Sequence, residues 1–423
     1  MKGFFRHIAC LLFAAVCAAG CVADLPFGEQ GGEGRGDQYY LSLRIRPVDD
    51  TRVDGTVAVR EKIRTLRVVV LNEQAIEYNR FIDLEKPESF AAAGFEYHLF
   101  LPTSAGRKKV YLIANEGSVQ HISYQPEQGQ DGLPDQLSAL LESYCPEGPD
   151  QLPNTAPDPD PAAFERLINA VHFAPDYTPD QDGALYLPYT ACYTGIEAGK
   201  GEVKDVTLYL VPAATKFRFD FSNYRDTPVQ IREITVNGFH DRNFLLAQVG
   251  ERDYRKTLDG EELYWVDWLA KISALSQSNG SYSDNLNFNA RYGWISDYRL
   301  PETAELAESK FVVPEDGRSI AAKELTEDTP VTLSLGPFYR PESLRSEENN
   351  GQVYRLTLRL HDAAQEDDSE DPQFENVAIQ NLQALFRNTF VVIHVKMSQG
   401  DVEVYAEIQD WNHRSINGYV VEE

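Results

Sequence analysis

The chain has 423 residues, long enough for two or more domains. Its 66 acidic and 39 basic residues give a formal net charge of −27, which sets aside nucleic acid and anionic lipid surfaces as partners. Hydrophobic residues make up 42%, enough for real cores, and 22 Tyr, 21 Phe and 4 Trp favour strands.

The first twenty residues read as a signal peptide. Lys2 and Arg6 form a basic start with no acidic residue, and residues 8–20 are apolar or small. The run is too short to span a bilayer. It ends in Ala18-Ala19-Gly20-Cys21, small residues followed directly by a cysteine. That is a lipoprotein processing site, with Cys21 as the lipidated first residue of the mature chain. Cys17 is a poorer choice, because branched Val16 precedes it. Residues 21–38 are rich in Gly and Glu and read as a flexible tether. The chain is thus expected to be anchored to a membrane by lipid rather than to span it.

Of five cysteines, Cys10 and Cys17 leave with the signal and Cys21 is lipidated. Cys145 and Cys192 remain, and in an oxidising compartment they could pair or stay as two thiols.

Residues 39–46 alternate strictly. Tyr39, Leu41, Leu43 and Ile45 fall on one side, and Tyr40, Ser42, Arg44 and Arg46 on the other, the pattern of a half-buried strand. A polar loop follows over 47–55. Residues 63–71 predict a second strand with a continuous apolar end, which suits a central position. Residues 95–102 and 109–114 predict two more, separated by a turn at Ser104-Ala105-Gly106. Residues 134–144 and 162–171 carry a helical period, with Pro134 at a first helical position. Between them, 146–161 is rich in Pro and Asp and must be loop. That loop and the acidic 176–183 segment lack EF-hand spacing, so they read as solvated loops rather than a metal site.

The second half predicts strands over 203–211, 216–221, 231–239, 330–335, 353–360, 390–397 and 402–408. Residues 254–294 are irregular and aromatic. The acidic run 365–375 reads as a hairpin loop. Many alternating strands separated by turn signals belong in sandwiches. The expected fold is all-β, with one domain over 39–203 and a second over 204–423.

Several segments carry a resemblance. Residues 107–116 (RKKVYLIANE) make a basic turn and a strand ending in Ile-Ala-Asn. Residues 61–71 form a strand entry, and 187–190 (LPYT) a short motif before the midpoint. Residues 213–217 (AATKF) open the second half. Phe386-Arg387-Asn388-Thr389-Phe390-Val391-Val392 and Asp410-Trp411 lie near the end. In order and spacing these resemble the fimbrillin family, the major and minor subunits of type V pili of Gram-negative bacteria. The family usually has an Arg just before the AATKF position, where this chain has Val211-Pro212, and the acidic inserts 146–161 and 363–376 depart from its pattern.

The resemblance implies two transthyretin-like β-sandwich domains, the first with a few short helices. It implies an outer-membrane lipoprotein precursor cut after an Arg in the loop that follows the first strand. Loss of the strand Tyr39, Leu41, Leu43 and Ile45 would open a groove for a neighbouring subunit's C-terminal segment, by β-strand addition. The arginines available are Arg44, Arg46, Arg52 and Arg60. Arg52 is preferred, because it sits mid-loop where a protease can bind extended chain, whereas Arg46 precedes Pro47. Ile416, Tyr419, Val420 and Val421 are the candidate donor residues, the alternative being that they simply belong to the last strand of the second domain; residues 402–408 read better as that last strand.

The implied partners are other fimbrial subunits, in a homopolymer or a mixed fimbria mediating adhesion, with a receptor the sequence does not name. A tip, accessory or anchor subunit is the runner-up. No HExxH, P-loop or G-x-S-x-G is present, so no enzyme, metal or cofactor is expected. A glycan-binding surface lipoprotein is the competing class, with residues 264–294 as a stacking platform.

Overall fold

The computed structural model describes residues 39–47, 61–84, 96–123, 136–145, 160–175, 177, 186–200, 205–248, 256–258, 261–263, 306–313, 318–323, 329–344, 354–362, 373–380, 382 and 384–410. These residues are mostly strand, and the fold is all-β with two short helices.

The first half contains β1 (Tyr39–Pro47), β2 (Thr65–Leu71), β3 (Ile76–Asp83), β4 (Tyr97–Thr103), β5 (Arg107–Ala114) and β6 (Ile122–Ser123). Helices α1 (Leu137–Glu142) and α2 (Pro161–Ala170) follow. Then come β7 (His172–Phe173), β8 (Tyr189–Glu197), β9 (Gly199–Lys200) and β10 (Asp205–Pro212). The main sheet runs β3-β2-β5-β8-β10-β1-β4, with β9 also on β1. β10 meets β8 only at Val211–Thr190 and Pro212–Tyr189, so the sheet folds over there. Strands β4, β1 and β10 lie across β2, β5 and β8, with Leu41, Leu43, Ile45, Leu101, Val206 and Leu208 packed on Leu66, Val68, Val70, Val110 and Leu112.

β2 is buried on both faces, as its continuous apolar run predicts. Its second face, Val69 and Leu71, packs with Tyr111, Ile113 and Cys192 under the helices. Asp160 caps α2 by accepting from the Ala162 amide at 2.9 Å, and Pro161 occupies the first turn. One turn apart, Phe164 and Ile168 reach the sheet, Phe164 edge-on to Tyr111 at 5.4 Å. Helix α1 begins at Leu137; Pro134 lies outside the described residues.

The second half carries β11 (Thr215–Asn223), β12 (Val229–His240), β13 (Asn243–Phe244), β14 (Lys256–Leu258), β15 (Glu261–Leu263), β16 (Leu306–Phe311), β17 (Arg318–Ile320) and β18 (Val331–Arg340). After these come β19 (Ser343–Leu344), β20 (Arg355–Asp362), β21 (Gln373–Ala378), β22 (Ala384–Leu385), β23 (Thr389–Ser398) and β24 (Asp401–Asp410). Two sheets, β18-β11-β23-β24 and β16-β12-β20-β21, enclose one core. Phe217, Phe219 and Phe221 alternate along β11 into this core, where Phe217 meets Phe239 and Phe219 meets Phe311.

Several details differ from the sequence-based expectation. β10, expected to open the second half, pairs in the first sheet, and the change of sheet falls at the fully buried Ala213 and Ala214. β21 begins at Gln373, inside the run expected to be loop.

Candidate functional site

β1 occupies an inner position of its sheet. It pairs in parallel with β10, Ser42 opposite Asp205 through Pro47 opposite Leu210. It pairs antiparallel with β4, Tyr39 opposite Thr103 through Ile45 opposite Tyr97. Leu41, Leu43 and Ile45 are no more than 1% exposed, whereas Tyr39, at the strand's start, is half-buried. Among the described strands, β4 pairs with β1 alone. β1 therefore fills a slot with two rails, β10 and β4, and a floor made by the other layer.

The outward side of β1 is polar and matched to those rails. Tyr40 stacks on Phe100 of β4 at 5.2 Å. The Ser42 hydroxyl donates to Asp205 of β10. Arg44 lies between two carboxylates, 3.8 Å from Glu96 and 4.0 Å from Asp205. Arg46 donates to the Tyr209 hydroxyl at 3.0 Å and its guanidinium lies over that ring. A hydrogen bond with His98, aided by the charges of Arg44 and Arg46, holds the Glu96 carboxyl below the usual range.

The chain beyond the β1–β2 connection is fastened independently of β1. Glu61 accepts from Tyr339 at 2.9 Å and pairs with Lys216 at 2.7 Å. Ile63 is fully buried. Asn115 sits in the left-handed region at φ 55°, where Asn is tolerated. Its carboxamide accepts from the Arg64 amide at 2.9 Å and donates to the Lys62 and Leu187 carbonyls at 2.8 Å. Next to it, Glu116 takes two hydrogen bonds from buried Arg67, at 2.6 and 2.9 Å. The Ile-Ala-Asn-Glu run thus pins the start of β2 to the strand two positions along the sheet.

The far end of β4 is tied down separately. Glu77 of β3 accepts from Thr103 and Ser104, and from fully buried Lys108 at 2.8 Å. Burial pushes this carboxyl up, but the bonds from Lys108, Ser104 and Thr103 outweigh it and leave it below its usual range.

A second polar knot joins the halves. Arg387, fully buried at the entry to β23, donates to Glu342 at 2.6 Å, to the Phe244 carbonyl at 2.8 Å and the Leu245 carbonyl at 3.0 Å, and to the Thr190 hydroxyl at 3.2 Å.

β24 is an edge strand of the second half. Val402, Val404, Ala406 and Ile408 face the core, so residues 402–408 belong to the fold, as the sequence favours. Cys145 and Cys192 are not bridged. The Cys145 thiol lies 3.5 Å from the Asn79 carbonyl on β3, while Cys192 is on β8. Three strand spacings separate β3 from β8, roughly 14 Å, twice what a disulfide spans. Cys21, Arg52, Arg60, Ile416, Tyr419, Val420 and Val421 lie outside the described residues, as does the aromatic stretch 264–294.

Sequence reasoning found β1 by its alternation. It missed Glu77 and gave no role to Glu61, Lys108 and Lys216, whose partners are distant in sequence. Asn115 and Arg387 appeared in the motifs, but without their roles.

No family model matches the sequence, and no curated protein matches it. Solved structures do. The tip fimbrial protein Mfa3 from Porphyromonas gingivalis, C-terminally truncated, is 10% identical, covers 88% of this chain and 100% of its own, and has a TM-score of 0.44. The fimbrilin FimA of the same organism is 11% identical over 88% of this chain and 97% of its own, with a TM-score of 0.42. A fimbrial assembly protein from Parabacteroides distasonis is 13% identical over 88% and 98%, with a TM-score of 0.38. Fimbrial proteins are thus what this chain is similar to.

Proposed function

We propose that the chain is the precursor of a cell-surface fimbrial subunit, exported as a lipoprotein through Cys21 to the outer membrane. In this reading proteolysis within residues 48–60, at Arg52 ahead of Arg60, releases β1. A strand from another subunit then fills the slot between β10 and β4, and this chain's tail, through Ile416, Tyr419, Val420 and Val421, fills a neighbour's. Its role is assembly and adhesion, with no catalytic part. The division into an N-terminal and a C-terminal sandwich domain, meeting at Ala213–Ala214, belongs to the same proposal.

One observation carries this reading. β1 is an inner strand supplied by the start of the fold, while Glu61 and Arg64 are anchored without it. A cut before Glu61 therefore separates a replaceable strand from a body that keeps its own fastenings. Losing Leu41, Leu43 and Ile45 uncovers apolar surface worth roughly 5–9 kcal/mol, which drives another strand into the slot. Main-chain bonds on both rails add affinity, and alternate side chains add specificity.

Mass spectrometry of the surface-assembled protein tests the idea. A mature N-terminus between residues 48 and 61, absent in Arg52→Ala, is the expected result. Assembled subunits that still begin at Cys21 would refute strand release. Fractionation of Cys21→Ala tests export separately: undiminished membrane association would exclude lipidation.

A further inference from the structure

The slot's charge selects what can fill it. Asp205 stands opposite Ser42, and Glu96 immediately precedes Tyr97, the residue opposite Ile45. The two carboxylates thus bracket the level of Arg44, which lies 3.8 and 4.0 Å from them. When β1 leaves, Arg44 and Arg46 leave with it; Asp205 loses its ion pair with Arg44, and Glu96 keeps only its hydrogen bond with His98. In a chain of net charge −27, the background field does not replace the two arginines.

Residues 411–423 do not set a cation at the level of Arg44 between two inward apolar residues. Residues 411–423 read WNHRSINGYVVEE, and Arg414 is their one Arg or Lys. Placing Arg414 at the level of Arg44 puts His413 and Ser415 at the buried levels of Leu43 and Ile45, in either strand direction. The next inward position then falls to Trp411 or Asn417. Turning the apolar residues inward instead gives two choices. With Ile416, Gly418 and Val420 inward, the outward positions hold Asn417 and Tyr419. With Asn417, Tyr419 and Val421 inward, they hold Gly418 and Val420. Neither set offers a cation, and both end in Glu422-Glu423.

We propose that the strand filling this slot comes from a different subunit and carries an outward cationic side chain flanked by two inward apolar residues, matching Leu43-Arg44-Ile45. The chain is then a link between unlike neighbours rather than a unit of a homopolymer. This rests on the strand-release reading.

The test uses the cleaved protein and three synthetic peptides: residues 39–47, the same peptide with Arg44→Glu, and residues 411–423. The 39–47 peptide is expected to bind. Charge reversal should weaken it on the order of tenfold, and the gap should narrow in 1 M salt. The tail peptide should bind more weakly than 39–47. In the double variant Glu96→Gln, Asp205→Asn, the two 39–47 forms should bind alike. If the tail peptide binds as tightly as 39–47, or charge reversal has no effect on the wild-type slot, the selectivity is wrong while strand release stands. If no peptide binds, the 39–47 peptide included, strand release falls and the selectivity with it.

Discussion

Glu61 and Lys216 form an ion pair, Oε1 to Nζ 2.7 Å, that fastens the first described residue after the β1–β2 connection to β11. Both side chains are largely buried, so Lys216→Met leaves Glu61 with the Tyr339 hydrogen bond but without its counter-charge in a poor dielectric. Lys216→Met is expected to cost about 3 kcal/mol. The loss should be the same in precursor and cleaved forms, measured by denaturant unfolding, because the pair does not involve β1.

Leu43→Ala should behave in the opposite way. Leu43 is 1% exposed and faces the sandwich core, so truncation should destabilise the precursor by about 2–5 kcal/mol. The cleaved protein no longer contains the residue and should unfold as wild type does. An equal loss in both preparations would mean that β1 stays in place after cleavage.

Glu77 gives the fold an acid-sensitive fastening. Its folded carboxyl titrates below the ordinary 4.5 despite burial, because Lys108, Ser104 and Thr103 hold the charged form. A lowered folded value means stability that is present above the unfolded pKa and is lost as pH falls through the folded one. Between about pH 5 and pH 3 the wild type should therefore lose more stability than Glu77→Gln, as read from unfolding midpoints at stepped pH. Parallel curves for the two proteins would remove Glu77 from the account.

Cys145 and Cys192 should both titrate as thiols in the unfolded mature chain. Adding reductant should leave the Tm unchanged. A fall of several degrees would reveal a bridge that the strand spacing between β3 and β8 forbids.

Much of the fold is legible in the sequence where burial imposes a period. β1 and β11 alternate, and β2 runs apolar from Val68 to Leu71 because it is covered on both sides. β3 is hidden because an outer strand carrying Glu77, Asn79, Arg80 and Asp83 has no clean period. Pairing is harder to read than strand existence. The turn at Ser104-Ala105-Gly106 suggests that β4 and β5 form a hairpin, yet β4 pairs with β1 and β5 with β2 and β8. Local residues set the turn, while the core decides which layer each arm joins. The buried charges are the least legible part: Arg387 and Glu342, or Lys108 and Glu77, look like surface residues until the chain brings them together.

β4 depends on β1 for its ladder while remaining tied at Thr103 through Glu77. A strand leaving the slot must break the ladders on both its edges at once, and its departure frees a flap hinged at one end. Occupancy of this position is therefore all-or-none. Pulled along its length, the inserted strand loads both rails in shear, so every rung shares the force before any one gives way. If a neighbour's strand takes this place, as proposed, its residence is governed by the height of that joint rupture rather than by the strength of any single contact, which suits a connection under mechanical drag.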